Sequence, residues 1–476
     1  MRINHLLFIV FLCLSCASVS AQNKEVLYDF AEIPQALLIN PGIQTSKQWS
    51  VGVPLLSSIS LHAGSNAVTV QDIFANDGVD INDKVRDKVI YNMSITDEIS
   101  GNYQMDLINV GFRTKNRPDD FYSFGMYLEG DAIGYYFKDL ALLAFEGNGG
   151  ANIGRRFDLS HFNTRGELTN VFHVGLNRKV NEKLTLGIRA KLYSNIFSFT
   201  STNNDGYFIT TEGENNILAN TLVADLELKS SGLQSLEEAE SSEVPSILAK
   251  RALLGGNLGA GVDVGFTYKL NERTIITGSL LDVGFIRHSN DVKNYVLQGS
   301  ATVEGVEVFL PQDLGNTDDL WENLVDEIET LLPFEEEATA YTTLRPIKLY
   351  SSIKYSFGNG TVGSGKNCGC LYTNTGGGSE LDYYPNSIGA QLYAISRPRG
   401  PQMALTAFYE RRFANTLALK ATYTVDKFSF SNVGLGMNLN LGKLNMYAMA
   451  DNLLSYSNLA DSHYASFQLG LNIISW

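Results

Sequence analysis

Cys368 and Cys370 stand one residue apart in a glycine-rich stretch, and six histidines (His5, His62, His161, His173, His288 and His463) are spread along the 476-residue chain. Metal sites, thiol chemistry and general-base catalysis are built from such residues. Their spacing assembles none of them. No two histidines fall at ligand spacing, and two thiols do not make a zinc site. Cys-Gly-Cys is better read as a local, redox-sensitive disulfide than as a metal site or a pair of loop thiols. His288 lies near Asp282 and Ser289 in sequence without sharing a hydrolase motif with them, and His173 reads as a solvated strand residue facing a lumen. Gly147, Asn148, Gly149, Gly150 and Gly154 lack the spacing and strand-to-helix context of a phosphate loop. Residues 77–83 lack the donor order of a calcium loop. Arg155 and Arg156 read as exposed loop charges, and Glu335, Glu336 and Glu337 as a solvated acidic run. The expectation is no catalytic residue, no cofactor, no metal and no enzyme. Lys and Arg number 36 against 51 Asp and Glu, a net charge of −15, which argues against a nucleic-acid partner.

The charges with positional meaning lie inside long alternating runs. Across 257–270, Leu258, Ala260, Val262, Val264, Phe266, Tyr268 and Leu270 share one face; Asn257, Gly259, Gly261, Asp263, Gly265, Thr267 and Lys269 share the other. Period-two alternation over about fourteen residues describes an extended strand with an oily side and a polar side. Soluble strands average about five or six residues, whereas a strand crossing a bilayer needs about nine to eleven. The pattern recurs at 168–180, 183–192, 416–425, 433–441 and in the last strand. Mean hydropathy is −0.06, and no mature stretch is long and apolar enough for a helical span. The predicted fold is all-β: a transmembrane antiparallel barrel of about 14–16 strands, oily outside and polar inside. Arg189, Lys191, Asp263 and Lys420 then face the lumen. The glycine-rich polar side of 257–270 suggests that something packs closely inside.

The first 21 residues read as an export signal. Arg2 supplies the positive end, Leu6 to Leu14 the apolar stretch, and Val19-Ser20-Ala21 the cleavage site; lipidation at Cys16 is a less favoured alternative. Residues 22–47 are mixed in character and carry the turn signal Asn40-Pro41-Gly42, and 48–476 form the barrel. Short connections at Asn181-Glu182, Asn271-Glu272 and Gly442 contrast with long ones at 64–101, 131–167, 229–256 and 289–340, as in outer-membrane barrels, whose periplasmic turns are short. Parity puts the Asn271-Glu272 turn on the periplasmic side. It counts sixteen strands if Asp205-Gly206 closes a hairpin, with fourteen close behind. Residues 358–385 disturb this pattern, as though a strand were missed or overcounted nearby. One or two loop helices are expected, one from Val244 to Leu254 and one over 318–332. In the latter, Trp321, Leu324 and Ile328 make an apolar stripe suited to docking a partner.

Three stretches carry a family resemblance: PQALLINPG at 34–42, LGAGVDVGFTYKLNERTIITGSLLDVGFIRHSN at 258–290 and NMYAMADNLLS at 445–455. They resemble a family of Bacteroidota outer-membrane barrels of unknown function. That family is similar to the PorP/SprF proteins tied to type IX secretion and gliding, and more remotely to FadL-like barrels. The resemblance implies the cell outer membrane, with outer-membrane lipid as the surrounding partner. It also implies a passive conduit for small molecules, hydrophobic ones included. The alternative is a non-conducting scaffold for secretion or motility proteins. The likeness to FadL-like barrels, whose N-terminal segment plugs the lumen, also implies that residues 22–47 are a candidate lumen plug here; the resemblance supplies no catalytic or ligand residue. A secreted soluble β protein is the third and weakest reading.

Overall fold

The structure is a computed structural model that describes residues 24–212, 218–304, 335–358, 384–414, 416–428 and 432–476. The expected 318–332 helix, with Trp321, Leu324 and Ile328, lies outside the described residues, as do Cys368 and Cys370.

In chain order the main strands are β1 (Trp49–Gly52), β2 (Ile59–Ser65), β3 (Glu98–Thr114), β4 (Arg117–Tyr135), β5 (Thr164–Lys179), β6 (Leu184–Glu212), β7 (Leu218–Ser231), β8 (Asn257–Lys269), β9 (Thr274–His288), β10 (Val292–Glu304), β11 (Tyr341–Leu344), β12 (Lys348–Phe357), β13 (Asn386–Arg397), β14 (Gly400–Phe413), β15 (Leu417–Val425), β16 (Asn432–Leu441), β17 (Leu444–Asp451) and β18 (Tyr464–Ser475). β1 and β2 both lie between β18 and β3 and form one interrupted stave. β11 and β12 both pair with β9 and form another. Every neighbouring pair is antiparallel, and β18 against β1 and β2 closes a ring of fourteen staves. Closure leaves no unpaired edge, the condition for strands to stand in lipid.

The alternation decides which side faces out. Leu258, Val264, Phe266 and Tyr268 of β8 are exposed, while Asn257, Asp263 and Thr267 are buried. The same holds for Leu186, Ile188 and Leu192 on β6, Leu349 and Ile353 on β12, and Leu435 and Met437 on β16. A soluble fold hides its apolar side. This wall shows it to the surroundings and hides the polar one, as a lipid-facing barrel does. Tyr268, Tyr355, Tyr409 and Phe413 add exposed aromatics near one rim, where interfacial rings anchor a barrel.

That rim carries the turns at Lys115-Asn116, 180–183, 270–273 and 442–443, and the longer 358–385 connection reaches it too. β12 and β13 are paired from Phe357↔Asn386 upward, so the wall needs no extra strand there. Two of these turns share one mechanism. The Asn181 side chain accepts from the backbone of Lys183 and Leu184 at 2.8 and 2.9 Å. Asn271 does the same with Arg273 and Thr274, both at 2.9 Å. An Asn bonding its own turn lets the same short sequence arise twice without a repeat.

Three expectations need correction. Asp205-Gly206 is not a hairpin. Asn203 and Gly206, at φ +52° and +128°, absorb a bulge with a register shift between Thr202 and Asp205, and β6 runs on to 29 residues. Its far half leaves the barrel and pairs with β7, which pairs with β10. Parts of the supposed loops are strand instead: 131–135 and 164–167 in the first, 229–231 in the second and, most extensively, 292–304 in the third. Helices exceed the expected one or two: Val70–Phe74, Ile81–Lys84, Lys138–Glu146 and Val244–Lys250 all sit in long connections. Short amphipathic pieces need only a local cluster to dock on, and Leu142 and Leu143 find one with Ile90, Phe157 and Phe208.

Candidate functional site: the filled lumen

A barrel this wide encloses space, and here the chain's own start occupies it. Residues 24–47 run inside the ring, with Leu27, Tyr28, Phe30, Ile33 and Ala36 almost fully buried. Their backbone holds a single helical turn, Ala36–Ile39, so many carbonyls lack partners within the segment. Wall side chains supply them. Gln391 donates to the Glu25 carbonyl at 2.7 Å, Lys354 to Asp29 at 3.2 Å and Ser279 to Ile39 at 2.6 Å. Asn177 donates to Pro41 and Ile43 at 2.6 and 2.9 Å, and Thr267 to Gly42 at 2.8 Å. Arg113 reaches Lys47 at 3.1 Å. Side-chain contacts add Gln35 with Asn472 and Glu32 with Arg412.

The Asn40-Pro41-Gly42 corner fits only because the wall is bare beneath it. Asn40 caps the turn by accepting from the Gly42 amide at 2.9 Å. A Cβ at Gly187 would overlap the Pro41 carbonyl, and one at Gly265 would overlap the Asn40 side chain. Those two glycines are paired across β6 and β8, so they form one flat seat.

Against the segment's apolar side lies an inner wall that is itself apolar. Leu281, Tyr350, Tyr393, Ile395, Tyr447 and Met449 join Val26, Leu27, Tyr28 and Phe30 in one buried cluster. Tyr28 stacks on Tyr350 at 4.9 Å, and Tyr350 meets Tyr393 at 4.6 Å.

Of the four candidate lumen residues, three come together. Arg189 binds Asp263 at 2.8 Å through Nε and donates to the Leu37 carbonyl at 2.8 Å. Lys191 lies 2.9 Å from Asp263 and 2.5 Å from Asp282. Lys420 sits elsewhere, donating to the Tyr28 carbonyl and lying over the Phe408 ring. All four are inward and buried, so they face packed side chains and the N-terminal segment rather than open water. His173 is also inward and buried, beside Tyr127, and is therefore not solvated.

Sequence reasoning passed over the rest of the charged network. Lys348 contacts Asp282 at 3.0 Å and Glu129 at 2.6 Å. Arg345 contacts Glu129 at 2.8 Å and Glu167 at 2.5 Å. Arg397 pairs with Asp131. The contacts from Arg189 to Glu167 make a continuous chain of four cations and four carboxylates. Asp282 enters it through an irregularity: φ is +60° and the β9 register slips between Leu280 and Val283, so Leu281 and Asp282 both point inward. Glu129 and Asp131 lie two apart on one strand face, the same signal that marked Arg189 and Lys191. Arg345 lies between β11 and β12, where alternation gives no guide.

A closed antiparallel barrel, lipid-facing outside and filled inside by its own N-terminal segment, is the class that fold and site define. The chain belongs to a family of unknown function, DUF5723, whose model matches residues 41–451. No curated protein matches it. Among solved structures it is similar to a FadL homologue of Pseudomonas aeruginosa, with 10% identity, 96% of this chain and 99% of that one covered, and a TM-score of 0.43. It is also similar to the P. putida toluene transporter TodX (10% identity, 96% and 94% covered, TM-score 0.34) and the Ralstonia pickettii toluene transporter TbuX (9%, 96% and 95%, 0.41). The fold described above rests on the strand pairing itself and draws nothing from these distant likenesses.

Proposed function

We propose that this chain is an outer-membrane barrel that conducts small molecules, apolar ones included, and that residues 22–47 are its plug. The exposed apolar wall supports the membrane, and the short-turn rim is assigned to the periplasm on the usual asymmetry of such barrels. The observation that carries the conduit reading is the apolar inner wall. Barrel lumens are ordinarily polar, yet Leu281, Tyr350, Tyr393, Ile395 and Met449 face inward here. Withdrawal of the segment uncovers that surface, a concave apolar lining suited to apolar cargo. Uptake of a small aromatic hydrocarbon into vesicles holding the purified protein tests this. Uptake faster than into protein-free vesicles is expected, and a rate equal to that of protein-free vesicles would sink the reading.

The filled lumen favours a second reading, a non-conducting envelope scaffold for secretion or motility proteins of the type IX kind. A stoichiometric partner that copurifies with a barrel showing no uptake would establish it over the conduit.

A further inference from the structure

Above the N-terminal segment, toward the long connections, opposite walls of the barrel touch each other directly. Counting staves from β1/β2 as the first, Glu129 and Asp131 stand on the third, Arg345 and Lys348 on the eighth and Arg397 on the ninth. In a ring of fourteen, seven steps is diametrically opposite. Arg345–Glu129 and Lys348–Glu129 therefore span five staves at 2.8 and 2.6 Å, and Arg397–Asp131 spans six. Nearer the rim, Gln402 on the tenth stave donates to both Glu98 oxygens on the second, at 2.9 and 2.8 Å, again six apart. Lys427 adds a contact to Glu98 at 2.9 Å. Pairs between neighbouring staves would hold the wall's shape; pairs across the ring occupy its bore. Glu98, Glu129, Asp131, Arg345 and Arg397 are all buried or nearly so, and no residue of 24–47 donates or accepts in these cross-lumen bonds.

We propose that this cross-lumen brace is a second closure in series with the plug: displacing the N-terminal segment does not open the barrel until the brace parts. The brace is made of ion pairs and polar hydrogen bonds, so it separates under conditions that leave the plug's apolar contacts intact, and the two closures are independently removable. This rests on the conduit reading.

Planar-bilayer conductance of full-length chains tests it with four proteins: wild type, plug-loosened Gly187→Val/Gly265→Val, brace-stripped Glu129→Ala/Asp131→Ala/Arg345→Ala/Arg397→Ala/Gln402→Ala, and the combination. Heat-modifiable gel mobility confirms folding of each. The brace-stripped set removes two cations with two carboxylates, which leaves the net charge of the site unchanged. Steady conductance steps are expected from the combination alone. Steps from the plug-loosened protein equal to those of the combination would overturn the second closure while upholding the conduit. A folded combination that never conducts would overturn both. Should the stripped barrel fail to fold, Arg397→Asp and the reversed pair Asp131→Arg/Arg397→Asp replace it, each in the plug-loosened chain. Conductance from the first and silence from the second supports the brace; equal behaviour overturns it.

Discussion

The lower and upper halves of the lumen are closed by different chemistry. Below, neutral and cationic side chains of the wall donate to backbone carbonyls of residues 24–47, over a shared apolar cluster. Above, wall meets wall through charged side chains with no inserted segment. A carbonyl is offered by every residue, so the lower closure reads the path of the segment more than its sequence. The upper closure reads identity, because each cation needs its carboxylate. The lower half can therefore be emptied by moving one segment, whereas parting the upper half separates buried charges from their partners. Arg189 stands at the join, bonded both to Asp263 and to the Leu37 carbonyl.

The sharpest way to break this contrast is at Glu129. Glu129→Ala leaves Lys348 and the inner end of Arg345 short of a buried counter-charge, and such losses cost about 3–5 kcal/mol. The heat-modification midpoint of the whole barrel should fall, with the N-terminal segment no more open to protease than before. A larger effect on segment accessibility than on the midpoint would show that the halves are not separate.

Gly265→Val comes next. Its side chain would enter space held by Asn40 and Gly42, and overpacking of this kind costs about 1–3 kcal/mol. The segment can relieve it by leaving its seat. Limited proteolysis near residues 40–47 should speed up while the barrel's midpoint barely moves, the reverse of Glu129→Ala. Asn177→Ala should act the same way and no more strongly. It leaves the Pro41 and Ile43 carbonyls without their donor, at about 1–3 kcal/mol for groups that water cannot reach. If Asn177→Ala left proteolysis unchanged, the wall-to-carbonyl account of the lower half would be wrong.

These contrasts also explain what could be read in advance. The wall was legible because lipid outside and polar contacts inside impose period two on every strand, so β8 matched its alternation almost residue for residue. Gly187 and Gly265 look like weak strand residues until Asn40-Pro41-Gly42 is seen on top of them. The carbonyls of residues 24–47 leave no trace in sequence at all. Local backbone geometry hid two more features: the bulge at 203–206 resembled a hairpin turn, and the slip at Asp282 turned inward a carboxylate that strict alternation would place on the lipid side. Among the described residues, the charges that alternation did flag proved to belong to ion pairs and carbonyl contacts rather than to a water-filled channel.

The smallest effect belongs outside both closures and serves as their control. The connection over 66–97 begins its first helix with a capping box: the Asp72 amide donates to Thr69 Oγ1 at 3.1 Å, and the Thr69 amide returns to the Asp72 carboxylate at 3.0 Å. That backbone bond, helped by Thr69 Oγ1 and Lys88, holds the Asp72 carboxyl below the usual carboxylate range despite some burial. A carboxyl whose folded value is depressed lends stability that is present above its unfolded value, about 3.9, and lost as pH falls through the lower folded one. Neutral buffer therefore keeps the cap, and acid below about pH 4 removes it. Thr69→Ala should cost about 1 kcal/mol, seen as faster cleavage within 66–97. Neither the barrel midpoint nor cleavage at 40–47 should change. A shift in either would mean that the long connections are coupled to the lumen, and the contrast between its two halves would have to include them.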